Sequence, residues 1–191
     1  VDAPKLIAFY SSAPQSGKTT CSKFLLETLT NYSIVPFAGP LKRVGYEFLT
    51  QIGVSPAEAK RYLYKDKHEV IPQIDRDSRH LLQTLGTEWG RMMIKNSVWI
   101  DCWKSNYHQW LNSVGQGVLV DDMRFPNEYD AVKAMGGYTI RIIRPDAMLN
   151  ATGHSSEGQL DDHDFDLTIY NCGSLLGLHH DLTKDIAIAM S

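Results

Sequence analysis

"SSAPQSGKTT", Ser11 to Thr20, opens on the end of an apolar run, "KLIAFYSS" (Lys5 to Ser12), and leads into a segment where Cys21, Phe24, Leu25, Thr28 and Leu29 recur at helical spacing. A short buried strand, a turn and a helix, in that order, are the setting of a phosphate-binding loop with the pattern G-x-x-x-x-G-K-[ST]. Gly17, Lys18 and Thr19 supply the second half of that pattern, while Ser12 stands where the first glycine belongs. In this geometry backbone N–H groups wrap a phosphate at the positive end of the helix. Lys18 is then placed to neutralise β- and γ-phosphate oxygens, and the Thr19 hydroxyl to hold Mg²⁺. A serine fits the first position if its backbone angle is ordinary, and Pro14 stiffens the turn in place of glycine's freedom.

The remaining chain alternates strands with helices. Strands are predicted at "SIVPFAG" (33–39), "GVLVDD" (117–122), "YTIRII" (138–143) and "DLTIYN" (166–171). Helices are predicted over 40–53, 55–64, 78–95, 97–113, 126–136 and 173–190, several of them opened by Ser or Pro and closed by Gly. Residues 65–78 read as a charged, proline-interrupted loop, and 145–165, which has no Lys or Arg, as a loop or lid. This alternation implies one α/β domain over residues 1–191, with a central parallel sheet covered by helices on both faces.

Bulk composition narrows the function classes. The chain has 191 residues, 43% of them hydrophobic and 21% charged, as in ordinary globular domains. A net charge of −3 gives no electrostatic reason to bind a nucleic-acid polymer or an anionic membrane. Phosphate chemistry must therefore rest on locally placed cations. Three widely spaced cysteines without metal-type spacing, no membrane-length apolar run and no basic-then-apolar N-terminal segment lead us to expect a cytoplasmic chain.

Three further features carry chemistry. "GVLVDDMRFPNE" places Asp121 and Asp122 at a strand end, where a carboxylate can orient Mg²⁺ opposite Thr19, and Arg124 within reach of a transferring phosphoryl group. "RHLLQTLGTEWGR" (79–91), taken as an α-helix, puts Leu82, Leu85, Trp89, Met92 and Met93 on one apolar face, and Arg79, Gln83, Gly86 and Gly90 on a stripe beside it. Such a stripe lets a flat ligand lie close to the backbone. Gln83 offers a base edge a donor and an acceptor, and Arg79 or Arg91 can hold a phosphate; close helix packing over the glycines is the competing explanation. Lys42 and Arg43, and Arg141 and Arg144, stand at element ends where cations could compensate two facing phosphates, the latter pair as internal arginine fingers. His154, His163, His179 and His180 show no metal spacing and are expected to be solvated or capping, while Trp99, Trp103 and Trp110 are expected in the core.

With these motifs quoted, the sequence resembles the bacteriophage-type deoxynucleoside monophosphate kinases of the P-loop nucleoside monophosphate kinase group. The resemblance also draws on "FAGPLK", "IRIIRP", "HSSE" and "LTIYNCGSL", and is most specific in "LQTLGTEWGR" with "DDMRFPNE". It implies ATP- and Mg²⁺-dependent phosphorylation of a dNMP. By that analogy Ser12, Ala13, Gln15, Ser16, Gly17, Lys18, Thr19, Thr20, Arg141 and Asn171 bind ATP, and Thr19 with Asp121 handles the metal. Lys42, Arg79, Gln83, Arg91, Asp122 and Arg124 surround the acceptor, in a region of about 40–95, with Lys18, Arg124 and Arg144 catalytic. Ser12 and the arginine-free lid depart from the group's usual pattern. Two rival readings stay open: another small-molecule P-loop kinase, of the dephospho-coenzyme A kinase type, and a non-catalytic nucleotide switch. A homodimer through the Trp-bearing helices is also an expectation.

Overall fold

The apolar run at Leu6 becomes β1 (Leu6–Tyr10), with all five residues buried, in a computed structural model that describes residues 4–114, 117–148 and 158–189. The chain continues through α1 (Lys18–Thr28), β2 (Tyr32–Ile34), α2 (Gly39–Gln51), α3 (Pro56–Tyr64), β3 (Val70–Ile71), β4 (Arg76–Asp77) and α4 (Ser78–Gln83). A π-helix (Thr84–Ile94), α5 (Val98–Val114), β5 (Gly117–Val120), α6 (Pro126–Ala134), β6 (Tyr138–Ile143), α7 (Pro145–Met148), β7 (Leu167–Tyr170) and α8 (Leu175–Ala189) complete it. The chain divides into two compact units, one of residues up to Phe37 and from Tyr107 onward, the other Ala38–Asn106.

The first unit is the expected α/β sheet. Its five strands run in the order β2-β5-β1-β6-β7, every neighbouring pair parallel. Parallel strands wrapped by helices must be apolar on both faces, which is why "LIAFY" and "GVLV" are unbroken buried runs instead of alternating ones. Ile7, Phe9, Leu119 and Ile140 of the sheet share a core with Cys21 and Leu25 of α1 and Leu178, Leu182 and Ile186 of α8. The second predicted strand stops early, at Ile34. Val35 still donates to Leu119 O (2.8 Å), but Pro36 has no N–H with which to extend the ladder.

The second unit packs Leu49, Val54, Ala59, Tyr62, Leu63, Ile71 and Leu81 into its own core. Ser55 caps α3, accepting from Glu58 N and donating to the Glu58 carboxylate at 2.6 Å. Residues 65–78 are not simply a loop. Buried Ile71 anchors a β3–β4 hairpin, and its carbonyl accepts from Ile74 N (3.1 Å) and Asp75 N (3.0 Å) to close the turn.

The predicted 78–95 helix exists, but beyond Gln83 it winds as a π-helix. The i→i+5 wind turns each residue through less than the 100° of an α-helix, so the predicted faces do not hold. Leu82 and Leu85 pack against the core, whereas Trp89 (42% exposed), Met92 (76%) and Met93 (75%) turn outward. Trp99 is bonded to this stretch: its indole Nε1 donates to Gly86 O at 2.8 Å. A Cβ on Gly90 would lie 2.6 Å from that same nitrogen, and one on Gly86 would lie 2.8 Å from Leu41 Cδ2. The glycines therefore admit Trp99 and Leu41, and the flat-ligand explanation of the stripe is replaced by close packing. Trp99, Ile100 and Trp103 are buried, as expected. His179 is not simply solvated, since it stacks on Phe24 with ring centroids 3.8 Å apart. Of the expected lid, residues 149–157, with His154 and "HSSE", lie outside the described residues.

Candidate active site

The Ser11–Gly17 loop joins the end of β1 to the start of α1, and its own side chains hold it. Ser11 Oγ donates to Ala13 O (3.0 Å) and Ser16 Oγ to the same carbonyl (2.8 Å). The left-handed turn that closes the loop sits on Gly17 (φ 107°), the N-cap of α1, where any side chain would be strained. Among the loop's non-glycine residues the positive φ falls on Gln15 (60°) and not on Ser12. Ser12 thus has the ordinary backbone angle that a serine at this place requires. Asn171, just past β7, donates its Nδ2 to Ser16 O at 3.0 Å. Its side chain therefore grips the loop itself. Arg144 Nη1 reaches Gln15 O at 3.4 Å from the end of β6.

At the start of α1 the side chains converge. Thr19 Oγ1 lies 3.3 Å from Asp121 Oδ2, at the end of β5. Burial pushes the Lys18 ammonium down from 10.5 to about 8; the positive Arg124 nearby adds to the fall, and Asp121 and Asp122 oppose it. Burial and the neighbouring arginine both disfavour the charged lysine, and a bound anion would favour it. Asp122 turns one oxygen to Phe37 N at 2.7 Å. The following turn is set by Glu128, almost fully buried, whose Oε2 accepts from Arg124 N (2.8 Å) and Phe125 N (3.1 Å). This is the acidic half of a capping box, and it fixes the backbone that carries Arg124. Among the described residues no cluster of three or more His, Cys, Asp or Glu could hold a metal alone. Thr19 and Asp121 are instead the paired hard oxygen donors that suit a cation shared with a phosphate.

Arg141 does not project as a finger. Its Nη1 donates to Asp161 O (2.8 Å) and its Nη2 pairs with Asp161 Oδ1 (3.1 Å). Asp161 also receives the hydroxyls of Ser12 and Tyr10. Sequence reasoning missed it, because nothing in "LDDHDFD" separates one aspartate from the others.

In the second unit the expected acceptor residues lie along α2, α4 and the π-helix. Lys42 Nζ sits over the Tyr64 ring, 4.7 Å from its centroid. Arg79 and Gln83 are exposed on α4, and Arg91 Nη1 donates to Asn96 O at 3.3 Å.

Comparison with known proteins supplies the family. A model of the deoxynucleotide monophosphate kinase family matches residues 58–182. The chain belongs to that family. The deoxynucleotide monophosphate kinase of Enterobacteria phage T4 is 36% identical over 97 residues, 51% of this chain and 40% of the relative. That of Escherichia phage RB69 is 29% identical over 142 residues, 73% of this chain and 54% of the relative. The chain thus spans about half the length of these phage relatives. A protein of Acanthamoeba polyphaga mimivirus is 28% identical over 157 residues, 76% of this chain and 77% of the relative. Among solved structures, TT1252 from Thermus thermophilus superposes with a TM-score of 0.55 at 16% identity, over 98% of both chains, and so shares the fold. The family match begins at residue 58, after the Ser11–Gly17 loop, so the functional reading of that loop stands on its own geometry. Among the described residues of this family member, no helix is long and apolar enough to cross a membrane.

Proposed function

We propose that the chain transfers the γ-phosphoryl group of ATP, with Mg²⁺, to the phosphate of a deoxynucleoside monophosphate, and that it works in a host cytoplasm. The observation that carries this reading is the convergence of Lys18, Arg124, Thr19 and Asp121 at the N-terminus of α1. The names of the T4 and RB69 relatives support the acceptor class.

In this mechanism the backbone of Ser12, Ala13, Gln15, Ser16, Gly17 and Thr20 cradles the ATP phosphates at the positive end of α1. The triphosphate favours the charged form of Lys18, which neutralises β/γ oxygens. Mg²⁺, when bound, supplies charge between those oxygens, and Thr19 and Asp121 are the residues that would hold it. Arg124 meets the charge that develops on the transferring group, and Arg144 backs the donor side. Lys42, Arg79 and Arg91 hold the acceptor phosphate, and Gln83 reads its base. One acceptor phosphate oxygen forms the new bond to phosphorus. The bond from the γ-phosphorus to the β–γ bridging oxygen breaks, and its electron pair leaves with ADP. The acceptor is already an anion, so no protein base is needed; positioning and charge compensation do the work.

A coupled ADP-release assay with Mg·ATP and each of the four dNMPs, AMP, dephospho-coenzyme A or no acceptor tests this. Release well above the blank with at least one dNMP is the expected result. A response to dephospho-coenzyme A alone, or acceptor-independent hydrolysis, would overturn it.

A further inference from the structure

Three elements of the first unit meet at one carboxylate oxygen that no motif marks. Asp161 Oδ1 accepts the hydroxyl of Tyr10 at 2.8 Å, the hydroxyl of Ser12, and an Arg141 N–H at 3.1 Å. Tyr10 and Arg141 are direct partners in the β1–β6 register, so the oxygen sits over a cross-strand pair. Each donor is itself held. Tyr10 is fully buried and stacks on Phe165, with centroids 5.3 Å apart and planes 12° from parallel. Burial, and then the bond to Asp161, push its hydroxyl up to about 12, so it remains a donor. Arg141 is tied a second time, to the Asp161 carbonyl. Leu160, beside Asp161, is fully buried and fixes the backbone there.

Ser12 is the odd member of this set. It occupies the place where the phosphate-loop pattern has glycine, and its hydroxyl, unlike those of Ser11 and Ser16, bonds outside the loop. A flexible glycine has been replaced by a side chain that is tethered. The tether is anionic, and it occupies the Arg141 guanidinium that would otherwise compete for phosphate.

We propose that Asp161 is a positioning residue for ATP, setting the first turn of the phosphate loop through Ser12 while Arg141 and Tyr10 orient its carboxylate. This rests on the ATP-binding reading given above. Asp161 acts through Ser12 and not on the reacting atoms, so its loss shows in donor binding before it shows in acceptor binding.

The test is a double-mutant cycle read by Mg·ATP dissociation constant and by the two KM values. With a charge-assisted hydrogen bond lost, Asp161→Ala should weaken Mg·ATP binding about tenfold and Ser12→Ala about fivefold, while the acceptor KM stays within about twofold. Because both variants break the same bond, the double variant should be no weaker than Asp161→Ala alone. Asp161→Asn keeps an acceptor oxygen and should restore part of the loss; should Asp161→Ala not fold, Asp161→Asn with Ser12→Ala carries the same cycle. Effects that multiply in the double variant, or an unchanged ATP affinity with a lowered melting temperature, would reduce Asp161 to scaffold. Wild-type protein that binds no Mg·ATP would overturn the ATP reading itself, and binding that is lost in Lys18→Ala would uphold it.

Discussion

Thr19 Oγ1, in the first turn of α1, faces Asp121 Oδ2, at the end of β5, across 3.3 Å, although 102 positions separate them in the chain. The sheet order makes the meeting possible, since β5 lies directly beside β1. In the function proposed above, these two oxygen donors from different elements would form one side of a cation site, and phosphate oxygens would complete the other.

Removing the carboxylate should therefore change metal dependence first. Asp121→Asn is expected to raise the Mg²⁺ concentration needed for half-maximal ADP release by about 10–100-fold, the usual cost of losing a metal-supporting group. Thr19→Ser keeps the hydroxyl and should behave like the wild type. A Mg²⁺ titration of each variant at saturating ATP decides the matter, and an unchanged titration for Asp121→Asn would remove it from the metal's surroundings.

Lys18 should titrate near pH 8 in the unliganded protein. Its folded value lies below its unfolded 10.5, so its charge costs stability below pH 8, and that cost is relieved as pH rises from 8 toward 10.5. Compared with Lys18→Met, the wild type should gain stability over that window. The gain is at most about 3–4 kcal/mol, because each tenfold change in proton affinity is worth about 1.4 kcal/mol. Chemical denaturation of both proteins at several pH values measures the difference. Amine labelling offers a second readout: at pH 8.5 Lys18 should react ahead of the exposed lysines, and Mg·ATP should protect it.

Gly90→Ala and Gly86→Ala should differ. Both relieve the backbone entropy cost of a helical glycine, which is worth about 1 kcal/mol. At Gly90 the new methyl meets the rigid Trp99 indole, and overpacking of about 1–3 kcal/mol should win. At Gly86 it meets the flexible end of Leu41, which can rotate away. Melting curves should show Gly90→Ala the less stable of the two; equal stabilities would mean that Trp99 yields as readily as Leu41.

Gln83→Ala removes an exposed amide and should leave stability unchanged within about 0.5 kcal/mol. Its effect should fall on the acceptor, raising the dNMP KM far more than the ATP KM. Equal changes in both would place Gln83 outside base recognition.

The legible parts of this molecule were those where chain order dictates chemistry. A buried strand, a turn and G-K-T at a helix start constrain Gly17, Lys18 and Thr19 without any tertiary information, and unbroken apolar runs announce a parallel sheet. Asp121 could be paired with Thr19 because both stand at element ends of such a sheet. The illegible parts depended on contacts between distant side chains. The apolar spacing of 82–93 fits an i→i+4 wind and carries no sign of i→i+5, so the outward turn of Met92 and Met93 was not legible in it. Arg141 resembled a free cation because its partner, Asp161, is 20 positions away in an acidic stretch with no pattern. The hairpin at Val70 was hidden by Pro72 and by charged neighbours; the burial of Ile71 and the turn bonds to its carbonyl account for it.

The π-wound stretch between Thr84 and Ile94 also gives the second unit a reserve of chain length. A helix wound i→i+5 uses more residues per turn than an α-helix needs. Deleting a residue there lets one turn tighten to the commoner i→i+4 bond instead of breaking the ladder. That slack lies downstream of Arg79 and Gln83, whose places on α4 come before it begins.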